Sequence, residues 1–202
     1  IDVPSTLVPS EEYLVPVGAE ELGGVFDVWA REQLARSQQA QRNIQKDVKL
    51  FMRYLYRDIP RDWHASYRFH IDHLLPVSRL AEMIEPPDRW PISAIGNLAI
   101  LDEATNLAKT SWTLAEFARL ETGDSPADRA RLIEYAAVAP VELCDIPKNL
   151  DGEDSMTRAD YLEFLRSRHE YLKARLLEVH DFKREAEDIR RNATQAAKVV
   201  DF

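Results

Sequence analysis

Asp72 and His73 stand side by side at the end of the run Tyr67-Arg68-Phe69-His70-Ile71-Asp72-His73, and three of the five histidines fall between positions 64 and 73. An aspartate is a hard oxygen donor for a divalent cation. A histidine, with its near-neutral pKa, can take a proton from water at pH 7. Asn106 offers a second oxygen farther along. Two protein oxygens, with water and phosphate filling the remaining positions, describe a Mg²⁺ site on a phosphodiester. Neighbours on a regular strand point to opposite faces, so Asp72 and His73 share a site only if the chain turns there. Leu74-Leu75-Pro76 permits that turn. Each residue also has a plainer reading. Asp72-His73 alone is a surface or hydrogen-bonded pair, and Asn97 after Gly96 is a turn residue. Asn106 is an exposed helix residue, and Lys109 is a cation at a helix C-terminus. Order, spacing and structural context together are what set the chemical reading apart.

The elements that must hold these residues are mostly helical. Residues 1–18 carry Pro4, Pro9 and Pro16 and read as an extended arm or linker. Residues 19–60 read as a helical, locally basic region in which Gly23-Gly24 frays or interrupts the first helix. Ile44, Val48, Phe51, Met52 and Leu55 form its core-facing stripe, and Pro60 closes it. Residues 61–122 form the site-bearing core. Tyr67 to His73 alternates as a short strand. Pro76 and Glu85-Pro86-Pro87-Asp88 then mark a loop with one helical turn, and Ile95 to Leu101 turns into a second strand. Asp102 caps a short helix through Lys109, and Thr113 with Glu116 makes a capping box. Residues 123–202 form a helical C-terminal part packing on the core, with a helix from Asp124-Ser125-Pro126. A connector at 139–155 follows, then a long helix started by Thr157 and Asp160. Leu162, Leu165, Leu172, Leu176 and Val179 share one face of it, and its mixed charges read as a solvated surface.

Asp72-His73-Leu74-Leu75-Pro76-Val77-Ser78, then Asn97, then Asn106-Leu107-Ala108-Lys109 resemble the HNH motif of the ββα-metal, or His-Me finger, nucleases. The HNH domain of RNA-guided CRISPR effector nucleases carries the same Asp-His, Asn, Asn version. The resemblance implies that Asp72 and Asn106 hold a metal, that His73 is the general base, and that Asn97 braces the loop carrying His73. It further suggests phosphate contacts for Lys109, His70 and Arg68. The segments Ile71 to Pro76 and Ile95 to Leu101, with Asn106, are also similar to the C-terminal nuclease domain of GmrSD-type restriction proteins, which attack modified phage DNA. That domain too ends in a long helix with arginines, as Tyr161 to His180 does here. Here the segment between the motif halves is long and proline-rich, and no zinc-binding cysteines flank the site. The expected fold is therefore mainly α (α+β), a helical domain with an embedded ββα-metal motif.

Composition narrows the function. The 202 residues have a formal net charge of −9, which argues against a surface that grips nucleic acid all over. Residues 31–57 are a local exception, with seven cations (Arg31, Arg36, Arg42, Lys46, Lys49, Arg53, Arg57) and two anions (Glu32, Asp47). That stripe is either a solvated helix face or a DNA-contacting one. Cys144 is the lone cysteine, so an intrachain disulfide and a thiolate zinc site are excluded, and a reducing cytoplasmic home follows. No apolar run approaches a membrane span or signal segment. The start at Ile1 rather than Met reads as a processed chain or an excised piece of a longer protein. The expected activity is a Mg²⁺-dependent DNA endonuclease of restriction or anti-phage defence, with Mn²⁺ or another divalent cation able to substitute. Its expected partners are DNA and a further recognition or NTPase domain or subunit, with no membrane and with oligomers open. Two alternatives compete. One is a catalytically silent DNA-binding or protein-docking module that keeps the fold. The other is an all-helical adaptor without the strand pair.

Overall fold

Strand β1 (Phe69–His73) and strand β2 (Leu98–Asp102) pair antiparallel, with Asp72 opposite Ala99 and His73 opposite Leu98. The computed structural model describes residues 17–40, 43–57, 69–85, 88–120, 134, 136–182, 184, 187, 188 and 191. Within them the chain is mostly helical around this single two-stranded sheet. The strand pair removes the all-helical alternative. Arg68, the arm at 1–16, Pro60 and the helix start at 124–126 lie outside the described residues.

β2 is the centre of the fold. Leu98, Ala99, Ile100 and Leu101 are all buried, and alternate residues enter two different cores. Ala99 and Leu101 join one cluster with Leu74, Leu75, Leu80 and Trp90. Leu98 and Ile100 join the other with Phe26, Met52 and Leu172. This is the period of two of a strand, applied to a strand covered on both faces. Leu74 and Leu75, both at 0% exposure, sink into the first core directly after His73. Burial of such a side chain is worth about 1.5–3 kcal/mol, so the chain is pinned where the site residues end.

Helices α1 (Ala19–Ala40) and α2 (Lys46–Leu55) supply the second core. Val48, Met52 and Leu55 are its buried stripe from α2. Gly23 and Gly24 neither break nor end α1, contrary to the sequence expectation. The first turn carries Glu20 and Glu21, which favour the positive end of the helix dipole. The expected single helical turn after Pro76 is a seven-residue helix, α3 (Val77–Met83). Proline suits the entry to a helix, nothing in the segment breaks it, and Leu80 at 0% exposure anchors it.

Helix α4 (Glu103–Lys109) begins as expected, with the Asp102 carboxylate accepting from Thr105 N–H at 2.9 Å. Helix α5 (Leu114–Arg119) carries the Thr113–Glu116 capping box. A single 3₁₀ turn, Val141–Leu143, sits in the connector. Helix α6 (Arg158–Val179) starts at the Thr157–Asp160 capping box. Its buried face includes Tyr161, Leu165, Leu172 and Leu176 but also Arg168 and His169, so the charges on this helix are not all solvated as expected. Arg168 reaches across to donate to the Leu98 carbonyl at 3.2 Å.

Candidate active site

The turn before β2 is built first, because everything else leans on it. Residues Ile95–Asn97 form one 3₁₀ turn lying against α6. A Cβ on Gly96 would stand 3.0 Å from the Leu165 carbonyl oxygen and 2.9 Å from the Leu165 side chain. Only glycine lets the turn approach the helix backbone this closely. Tyr161 fixes the preceding segment by stacking on Trp90 and by pointing its hydroxyl at the Pro91 and Ile92 carbonyls.

Asn97 follows at 0% exposure with all of its amide engaged. Its Oδ1 accepts from Leu75 N–H at 2.8 Å, and its Nδ2 donates to the carbonyls of Leu75 at 3.1 Å and Ile92 at 3.0 Å. Its own carbonyl accepts from Leu74 N–H at 2.9 Å. Asn97 therefore clamps residues 74–75, the turn that leaves His73, to the segment carrying Ser93. It acts on His73 through the backbone, which makes it a positioning residue and not a group that meets a substrate.

His73 is partly buried at the end of β1, with Nε2 3.2 Å from Ser93 Oγ. Its Nδ1 makes no hydrogen bond among the described residues. Burial pushes its pKa below the ordinary histidine value; Asp72 acts in the opposite sense and Lys109 with the burial. Burial outweighs the carboxylate, so the neutral imidazole is favoured relative to a free histidine. Ser93 was not visible in the sequence reading, since no spacing rule ties it to a histidine twenty positions earlier.

Asp72 Oδ2 is buried and accepts no hydrogen bond among the described residues. Lys109, 1% exposed, brings its Nζ to 2.8 Å from that oxygen, but off the direction of a hydrogen bond. The contact is one of charge. Lys109, expected at a phosphate, is held on Asp72 in this structure. Asn106 is partly buried and lies three residues before Lys109, on the same face of α4. His70 is exposed, with Nε2 3.9 Å from Glu103.

A carboxylate oxygen with no hydrogen-bond donor but a cation beside it, next to an amide-bearing helix face, suits a hard divalent ion that keeps most of its waters. Among the described residues no group of three or more His, Cys, Asp or Glu side chains gathers to hold a metal. Two cavities lie elsewhere. One of about 490 Å³ is lined by Tyr56, Tyr171 and Arg175, and one of about 420 Å³ by Trp29, Leu50 and Phe51. Neither of these two is lined by His73. In the basic stripe, Arg36 pairs with Glu32 and Asp47, while Lys46, Lys49 and Arg53 are exposed.

Comparison of the chain with known protein families, with curated proteins and with solved structures returns no match. Among the described residues no helix is long and apolar enough to cross a membrane.

Proposed function

We propose that the chain is a divalent-metal-dependent DNA endonuclease, the nuclease part of a bacterial restriction or phage-defence protein. The observation that carries this reading is the pairing, at one strand end, of an imidazole held at Nε2 by Ser93 with a buried carboxylate oxygen that faces a cation but accepts no hydrogen bond among the described residues. Asp72 and Asn106 would hold the metal. When bound, it would polarise the phosphate and stabilise charge on the departing 3′ oxygen. His73 takes the proton of the attacking water at Nδ1, while Ser93 at Nε2 fixes the ring. Asn97 keeps the turn after His73 from drifting. One such base serves one strand, so a double-strand break needs two copies or two successive nicks. Target recognition would come from another domain or subunit, consistent with the net charge of −9.

One observation favours a second reading, a silent module of the same fold. If the Lys109 ammonium never leaves Asp72, the cation position is permanently filled. Supercoiled plasmid with Mg²⁺, Mn²⁺ or EDTA separates the two. Metal-dependent nicking by the wild type that vanishes in His73→Ala supports the nuclease. DNA binding without nicking, both in the chain and with its recognition partner present, supports the silent module.

A further inference from the structure

Lysine is almost never fully buried unless it is paired. Lys109 is buried at the end of α4, where Thr110 adopts φ of 50° and Trp112 N–H bonds back to the Lys109 carbonyl at 2.9 Å. The backbone is anchored there while the side chain runs to β1 and stops 2.8 Å from Asp72 Oδ2. That oxygen keeps its lone pairs free of any hydrogen bond among the described residues. Elsewhere in this protein a partly buried ion pair is hydrogen-bonded at both carboxylate oxygens, as Asp154 is by Arg79. Asp72 Oδ2 meets one ammonium at 2.8 Å and accepts no hydrogen bond among the described residues, so one cation is its single described partner.

The geometry points to Lys109 as a tethered stand-in for the divalent ion, its ammonium filling the cation position of Asp72 until the ion displaces it. This rests on the metal-dependent reading given above. An ammonium and a divalent ion cannot both sit against one carboxylate oxygen in a partly buried site, because the like charges repel there more strongly than in water. Once Asp72 turns to the ion, Lys109 is a buried cation without a counter-ion and must swing outward. An anionic phosphodiester oxygen on the open side of the site is then its natural partner. Loading of the site and release of the lysine are one exchange.

The test is Mn²⁺ titration calorimetry on the 202-residue chain, Lys109→Met and Asp72→Asn, with an unfolding curve for each. Displacement predicts that Lys109→Met binds Mn²⁺ roughly ten-fold or more tightly than the wild type, since the competing charge is gone. Asp72→Asn should lose the site. Equal or weaker binding by a folded Lys109→Met, with wild-type binding intact, overturns the stand-in and leaves the metal-dependent reading in place. No Mn²⁺ binding by the wild type or by a folded Lys109→Met overturns both. A wild-type measurement stands beside these in case the variants do not fold. Acylation of the Lys109 amine, followed by peptide mass spectrometry, should be slow in EDTA and accelerate about ten-fold or more with saturating Mn²⁺, as expected for a buried group becoming exposed. Unchanged protection under saturating Mn²⁺ overturns the exchange.

Discussion

Arg79 donates through Nε and Nη2 to Asp154 at 2.5 and 2.6 Å and also reaches Glu116, while Lys148 pairs with the same two carboxylates. Asp72 and Lys109 face each other at 2.8 Å with no hydrogen bond between them. Both clusters put opposite charges together in partly buried surroundings. In the first, planar guanidinium meets carboxylate in the fork geometry that makes such bonds strong, and it ties α3 to α5 and to the connector. Hydrogen bonds from Arg79 hold the Asp154 carboxyl down at about 2. In the second, a point charge on a flexible stem faces an oxygen whose lone pairs stay open. The first is satisfied as it stands, and the second is the one that the proposed exchange would rearrange. The two pairs differ in hydrogen-bond satisfaction more than in distance.

That comparison can be broken at either cluster. The largest effect belongs to the chemical side. His73→Ala should lower metal-dependent plasmid nicking by roughly 10²–10⁴-fold, the range of a lost general base. Its urea midpoint should stay close to wild type. Nicking within ten-fold of wild type would remove His73 from the chemistry.

Asn97→Ala comes next. It strips Leu75 N–H of its acceptor and two buried carbonyls of their donor, a loss of about 4 kcal/mol read by urea unfolding. Nicking should fall in the molecules that remain folded, because the turn after His73 loses its clamp. Wild-type stability in this variant would contradict the clamp.

Acid should act through the core beneath the site. Burial, and next the charge of Arg168, lower His169 from 6.5 to about 4, while Asp27 acts weakly the other way. The unfolded chain protonates this ring at higher pH than the folded one. Stability is therefore complete above pH 6.5 and is lost as the pH falls towards 4. The full loss is about 3 kcal/mol from this residue. His73, also lowered, contributes in the same direction. Unfolding midpoints between pH 7 and 4 should fall less steeply in His169→Gln, and identical slopes would exclude His169 as a source.

The smallest effect falls on the structural cluster. Arg79→Met should cost about 2 kcal/mol, because it leaves two partly buried carboxylates with Lys148 as their remaining partner. Nicking per folded molecule should change less than two-fold. A drop as deep as that of His73→Ala would erase the distinction between the clusters.

Much of the local architecture can be read directly from the residues. The Asp102 cap, the Thr113–Glu116 and Thr157–Asp160 boxes and the two strands depend on groups a few positions apart. Such signals act within one turn or one strand, so the chain alone determines them. The same holds for placing Asp72 and His73 at a strand end and Asn97 before the next strand. The full length of α3 is not legible locally, because its stability comes from Leu80 entering a core formed by residues far along the chain. Arg168 looked like one more solvated charge on α6, yet it lies under β2 and donates to Leu98. Ser93 beside His73, the three-way engagement of Asn97 and the seat of Lys109 on Asp72 arose only when the strand pair closed over α4 and α6. Residue types and short spacings decided which chemical groups are present. Which of them are buried, bonded or left open was decided by tertiary packing, because desolvation and hydrogen-bond satisfaction depend on every neighbour in space.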